Sequence, residues 1–225
     1  MIVIDNFIKN QSLLFEIENT KDFFPASMGD ETRIASELNS YHYEQSSCFA
    51  PYMFWHGWHK SPANTPKKRL IQAIWEKNLP FSLDELCGFE YWTRTFKPGQ
   101  YLSAHVDEDT FLYADTKIFK GPIIGCVYYP HFNDVVGGFL EIYPTAVPEN
   151  TLNALERENM DPLFVSDDLK ERIYCSPNRL IIFDAGHTIH ATTPPISGVR
   201  RVMVINVWHK DSPPSGIQNN KFYYE

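Results

Sequence analysis

No stretch of this 225-residue chain stays apolar and uncharged long enough to cross a bilayer as a helix, so no transmembrane helix is expected. The opening Met1-Ile2-Val3-Ile4-Asp5-Asn6-Phe7 carries an acid early and no basic stretch, which argues against a signal peptide. Cysteine is scarce. Cys48, Cys87, Cys126 and Cys175 stand apart with no C-x-x-C spacing, a pattern of reduced thiols in a cytoplasmic protein more than of a disulfide framework or zinc cluster. Basic residues are in the minority, 20 Lys and Arg against 28 Asp and Glu. The resulting net charge of −8 disfavours a nucleic-acid partner, because phosphate-backbone binding needs clustered cations. Neither G-x-x-x-x-G-K nor G-x-G-x-x-G occurs, so no phosphate loop is expected. Repeats and low-complexity linkers are missing as well.

The chain is instead rich in core-forming residues, 43% hydrophobic and 15% aromatic, at a mean hydropathy of −0.33. Its length fits one substantial domain, residues 1–225. Met1 to Phe7 reads as a short strand, and Lys9 to Asn19 as a helix with Leu13, Leu14 and Ile17 on one face. Asp22 to Ser61 is irregular and aromatic. Thr65-Pro66 opens a helix with proline at its first position, ended by Pro80, and a shorter helix over Ser82 to Leu86 is expected to stop at Gly88. Residues 1–88 thus form a helical and irregular support region. From Phe89 the pattern changes to short strands with turns between them: Phe89–Phe96, Tyr101–Asp107, Gly125–Tyr129, Gly138–Tyr143, Arg179–Phe183, His190–Thr193 and Val199–Trp208. Strands at this spacing over 89–210 point to a β-sandwich or jelly roll. A charged insertion, 146–175, interrupts them with a helix expected around Asn150 to Glu158, and 211–225 form a tail.

The chemistry centres on His105-Val106-Asp107. On a strand, residues i and i+2 share a face, so this triplet projects an imidazole and a carboxylate side by side. An isolated H-x-D is more often a hydrogen-bonded surface pair. A third ligand from another strand would complete the two-histidine, one-carboxylate face that leaves positions open on non-haem iron. Two histidines compete for that place in Gly186-His187-Thr188-Ile189-His190. Gly186 keeps His187 in a bend, whereas His190 starts a β-like stretch and is favoured. Farther on, the strand from Arg200 to Trp208 puts Arg200 and Arg201 on opposite faces, Arg200 sharing its face with Val202, Val204, Asn206 and Trp208. An arginine inside a sandwich needs an anion, and a dicarboxylate co-substrate held through a bidentate contact would supply it. Gly137-Gly138 fits a tight turn at a strand entrance.

In order, Lys97-Pro98-Gly99-Gln100-Tyr101, His105-Val106-Asp107, Val127-Tyr128-Tyr129, Gly137-Gly138-Phe139-Leu140-Glu141-Ile142-Tyr143-Pro144, Leu180-Ile181-Ile182-Phe183, His190, Pro194, Gly198 and Arg200 resemble the prolyl-4-hydroxylase-like branch of the iron(II)- and 2-oxoglutarate-dependent oxygenases. The opening Ile2 to Phe7 is similar to the start of many such domains. The resemblance implies a mainly β fold, a double-stranded β-helix (jelly roll) with flanking N-terminal helices. It implies that His105, Asp107 and His190 bind Fe(II) and that Arg200 takes the distal carboxylate of the co-substrate 2-oxoglutarate, with Arg201 as the alternative anchor. Tyr129 is similar to a tyrosine that hydrogen-bonds the same carboxylate, although Pro130-His131 depart from the family's Leu-Asn. Trp208 matches a late aromatic of the last core strand, and with Tyr101 is a candidate for the substrate pocket. The implied activity is a dioxygenase that hydroxylates a C–H bond of a peptidyl substrate, prolyl foremost, or of a small molecule, consuming O2 and releasing succinate and CO2. Competing readings are a non-catalytic β-sandwich or cupin-like binding module, a demethylase of alkylated bases, and a zinc site. The second is disfavoured by the acidic balance and a missing arginine-rich pattern. The third leaves Arg200 unexplained.

Overall fold

The computed structural model describes residues 1–19, 48–49, 53–79, 81–130, 134–146 and 170–217. Most of the aromatic segment 22–61 and the helix expected around Asn150 to Glu158 lie outside the described residues. Thirteen strands appear in the order β1 (Ile2–Ile4), β2 (Cys48–Phe49), β3 (Met53–Trp55), β4 (Leu86–Phe96), β5 (Leu102–His105), β6 (Ile124–Tyr129), β7 (Val136–Gly137), β8 (Leu140–Ala146), β9 (Glu171–Ile173), β10 (Arg179–Phe183), β11 (Thr188–Thr192), β12 (Pro195–Ser197) and β13 (Arg200–His209). The helices among the described residues are α1 (Gln11–Asn19), α2 (Pro66–Asn78) and α3 (Thr110–Thr116). None of the described helices is long and apolar enough to cross a membrane.

Two antiparallel sheets carry the fold. The larger runs β1-β10-β6-β13-β4-β2 with β3 also on β4, and the smaller runs β5-β11-β8-β9. Along the chain β4, β5, β6 and β8 alternate between the sheets, and after the β8–β9 hairpin β10, β11 and β13 alternate again. That winding is a double-stranded β-helix: mainly β, a jelly-roll core with helices packed outside. Strands β7 and β12 pair antiparallel in a separate two-stranded sheet.

Period-two patterning on the long strands explains how one sheet serves two cores. On β13, Met203, Ile205 and Val207 face outward and meet α1 and α2 through Leu13, Leu14, Ile17, Leu70, Ile71, Ile74 and Trp75. Each such fully buried side chain contributes about 1.5–3 kcal/mol. Val202 faces inward and joins Phe96, Val127, Tyr129, Leu140, Ile142 and Phe183 between the sheets. Helix α2 starts where the sequence puts it: the Thr65 side chain accepts from the Lys68 N–H and Pro66 follows in the first turn.

Three local expectations need correction. The segment after Ser82 makes only a 3-10 turn, Leu83–Glu85, and Gly88 does not stop a helix but lies inside β4, which begins at Leu86 rather than Phe89. The glycine is there for space. A Cβ at Gly88 would stand 2.6 Å from the Trp55 carbonyl on the paired strand β3. Second, β5 ends at His105, so Asp107 sits just beyond the strand, with its N–H donating to the Ala185 carbonyl at 2.8 Å. Third, the end of the insertion, where no strand was expected, supplies β9 to the smaller sheet. The turn Lys97–Gln100 forms as expected, closed by Gln100 N–H donating to the Lys97 carbonyl at 3.0 Å, with Gly99 at φ +84°.

Because the backbone opposite Gly88 cannot retreat, Gly88→Ala is expected to lower unfolding free energy by about 1–3 kcal/mol. Urea denaturation followed by tryptophan fluorescence reads this; an unchanged midpoint would contradict the close packing of β3 on β4.

Candidate metal centre and its cavity

The pairing of β5 with β11 sets His190 directly opposite His105, and their rings lie 4.3 Å apart, centre to centre. Asp107 turns back over the end of β5, so that its Oδ1 lies 3.5 Å from Nε2 of His105 and 3.5 Å from Nε2 of His190. One donor atom from each of the three residues lies within 4.8 Å of the others. Of the two candidate histidines, His190 is the one in this cluster. His187 sits in the bend after β10, where its Nδ1 lies 3.1 Å from Asp184 Oδ1.

The protonation pattern says what the cluster suits. Nδ1 of His190 is 2.9 Å from the Thr188 carbonyl, which can only accept, so the ring carries its hydrogen there. In the neutral ring Nε2 then presents a lone pair toward a carboxylate oxygen. Two acceptors 3.5 Å apart call for a cation between them, and a histidine oriented through its other nitrogen is the usual arrangement of a metal ligand. Burial alone would raise the Asp107 carboxyl, but imidazoles of His105 and His190 that carry a proton toward it outweigh burial and hold the group well below the usual carboxylate range, and a cation in the proton's place would do the same. Two imidazole nitrogens and one ionised carboxylate, on one side of a common point, fit a non-haem ferrous ion with open positions.

Beside the cluster lies a cavity of about 90 Å³, room for roughly half a dozen waters. Its floor is the inner face of the larger sheet, where Glu90, Trp92, Arg94 and Phe96 on β4 pair in register with Asn206, Val204, Val202 and Arg200 on β13. Arg200 is 2% exposed and its guanidinium carbon lies 5.0 Å and 5.2 Å from the Phe96 and Tyr129 ring centres. One Nη2–H donates to the Tyr129 hydroxyl at 3.1 Å, while Nε has no hydrogen-bond partner among the described residues. Burial pushes the Tyr129 phenol well above its ordinary range, so it stays a neutral donor that can serve an anion together with Arg200. Arg201 faces outward, 3.5 Å from Asp134. A buried cation with a free N–H on a cavity wall fits a carboxylate group.

Two expected pocket residues do not reach this space. Trp208 is fully buried against Phe54 and Trp92, and its Nε1–H donates to Glu90 at 2.9 Å. Tyr101 is 37% exposed on the approach to β5 and does not line the cavity. Conversely, Glu90, Arg94, Phe183 and Asn206 line it without having been singled out from the sequence. Strand parity carried the signal: Asn206 shares the face of Arg200, and an acid at Glu90 is anomalous in so apolar a strand. Asp109 fixes the loop beyond Asp107 by capping α3 through the Leu112 N–H and accepting from the Ser215 hydroxyl.

No family model matches the chain, and no curated protein matches it. Solved structures that are similar to it include a prolyl-4-hydroxylase from Pseudomonas putida, at 13% identity and a TM-score of 0.48 over 93% of this chain and 92% of that one. A prolyl hydroxylase from Trichoplax adhaerens, in complex with a hypoxia inducible factor oxygen degradation domain peptide fragment, is 14% identical at a TM-score of 0.47, over 94% and 84%. A prolyl 4-hydroxylase from Phytophthora capsici is 14% identical at 0.45, over 93% and 59%. At such identities the chemistry has to be read from this chain's own donors.

The floor also holds a testable titration. Burial first, with the charges of Asp109 and Asp107 in support, raises the Glu90 carboxyl from its ordinary 4.5 to about 8, against the opposing hydrogen bonds of Trp208 and Asn206. The folded protein therefore keeps a proton that the unfolded chain has released, and stability falls as pH rises between about 4.5 and about 8. Denaturation midpoints measured across that window should decline in the wild type and decline less in Glu90→Gln; parallel curves would show that Glu90 is ionised in the fold.

Proposed function

We propose that this protein is a 2-oxoglutarate-dependent dioxygenase that uses Fe(II) to hydroxylate a C–H bond. The reading is carried by one observation: the His105, Asp107 and His190 donors converge in a cavity that a buried arginine also lines. His105, Asp107 and His190 would hold the iron. Arg200 and Tyr129 would hold the far carboxylate of 2-oxoglutarate, and the Phe96 ring, stacked near the guanidinium, keeps it from swinging away. The bound iron supplies the means of splitting O2, one oxygen atom ending in succinate and the other in the substrate hydroxyl, with CO2 released.

The protein's part is positioning and exclusion of water. Thr188 fixes the His190 tautomer, so Nε2 stays available as a ligand. The Ala185 carbonyl, accepting from the Asp107 N–H, holds the carboxylate over the strand end. Val127, Leu140, Val202 and Val204 line the cavity, so a bound keto acid meets apolar side chains between the donor cluster and Arg200. The acidic surface balance fits a peptide or small-molecule substrate better than nucleic acid.

Anaerobic addition of Fe(II) and 2-oxoglutarate is expected to give a visible charge-transfer band, lost in His105→Ala and in His190→Ala. A wild-type protein that gives no band would favour a non-catalytic binding module. In the same titration Arg200→Met should weaken 2-oxoglutarate at least roughly 30-fold, about 2 kcal/mol, because a buried charge pair loses one member. Tyr129→Phe should cost about 1 kcal/mol. Equal affinities in wild type and Arg200→Met would remove Arg200 from the co-substrate site.

A further inference from the structure

The metal-side end of the cavity floor carries a polar pair that the hydroxylase reading does not use. Asn206 is 2% exposed and Glu90 7%, and they face each other across β13 and β4. The Asn206 side chain hydrogen-bonds the Glu90 carboxyl, which also accepts from Trp208 Nε1–H. Asn206 Oδ1 is buried and has no hydrogen-bond partner among the described residues. Its place relative to the donor cluster follows from contacts. Asn206 pairs with Gly125, and Gly125 pairs with Phe183, whose ring packs edge-on to His190 at 5.0 Å. A Cβ at Gly125 would meet Asn206 Oδ1 at 3.4 Å and the Ala185 side chain at 2.3 Å. The orphan acceptor is thus at the level of the metal ligands, whereas the Arg200 Cα lies roughly 20 Å away along the same strand.

A buried acceptor left without a donor costs the full desolvation of the group, so this position favours a ligand that brings an N–H or O–H. 2-Oxoglutarate has none to offer, since its carboxylates and keto group only accept at neutral pH. A proline inside a peptide has no N–H either. A free amino acid has both ends this floor can take: an ammonium for the Asn206 oxygen, and a carboxylate for the Arg94 guanidinium, which lines the cavity from the same face of β4 as Glu90, at 7% exposure.

We propose that Asn206, oriented by Glu90, is the residue that determines substrate class, and that the C–H bond oxidised belongs to a free amino acid bound through its amino group. This rests on the hydroxylase reading above. The overall change is amino acid plus 2-oxoglutarate plus O2 giving hydroxyamino acid, succinate and CO2, which balances without another reductant.

The test is succinate release by the iron-loaded full chain with 2-oxoglutarate and each common free L-amino acid, set against the N-acetyl-N-methyl form of each (N-acetyl for proline). At least one free amino acid should stimulate release, and its blocked form should be at least roughly 100-fold poorer in kcat/KM, as expected when a site built to hydrogen-bond a group meets an analogue without it. Asn206→Leu should raise the KM for that amino acid at least roughly tenfold, more than it changes the KM for 2-oxoglutarate, while Asn206→Asp, which keeps an acceptor, should rescue it. The charge-transfer band shows that each variant is folded and loaded. A blocked form that works as well as the free one, or an unchanged KM in Asn206→Leu, overturns the proposal. So does a wild type that shows the band but responds to no free amino acid. Loss of the band itself brings down the hydroxylase reading and this assignment with it.

Discussion

Two imidazole nitrogens and an ionised carboxylate, pressed together under cover with no proton to share in the neutral state, set the terms for the rest of this molecule. Such a group is unfavourable unless a cation completes it, and the fold is arranged to keep it from relaxing. The β5–β11 register fixes one histidine against the other, the Thr188 carbonyl fixes the tautomer of His190, and Ala185 holds Asp107 through its backbone. Each constraint uses a main-chain group, so the arrangement depends on the backbone of the sheets and their ends.

The same economy appears in the larger sheet, which separates support from chemistry by side-chain parity. Outward residues of β13 are Met203, Ile205 and Val207, and they bind the helices. Inward residues are Arg200, Val202, Val204 and Asn206, and they line the cavity. One strand therefore anchors the helical layer, closes the cavity and presents polar groups at both of its ends. A one-residue slip in this strand would exchange the two faces, which the pairing on both sides, with β4 and with β6, prevents.

The sequence made the strands of the core legible because alternation, turn glycines and prolines are local signals. The register of His105 opposite His190 is not local, and only the order of motifs along the chain pointed to it. Gly88 shows where local rules mislead: a glycine after a short acidic turn reads as a helix stop, yet its purpose is to let β3 approach. Trp208 was read as pocket-lining by analogy with other chains. Its bulk fills the floor beneath Glu90 instead, and the face that meets the cavity carries Asn206 at that depth. Glu90 could be noticed in the sequence but not interpreted, because the meaning of a buried acid depends on partners from another strand.

Cys175 stands just after β9, where its Sγ–H donates to the Gly138 carbonyl and the thiol touches Tyr129 and Arg200. The insertion leaves from β8 and returns through β9, and these two strands are hydrogen-bonded neighbours. The segment therefore leaves the sheet at Ala146, opposite Thr188, and rejoins it at Glu171, opposite Ile142 at the level of His190, while Cys175 beyond β9 reaches the guanidinium. Lengthening a loop whose ends are already joined adds only about 0.6 kcal/mol per doubling. Residues between β8 and β9 can then change in number and chemistry while the pairing of the two strands leaves the arginine where it is.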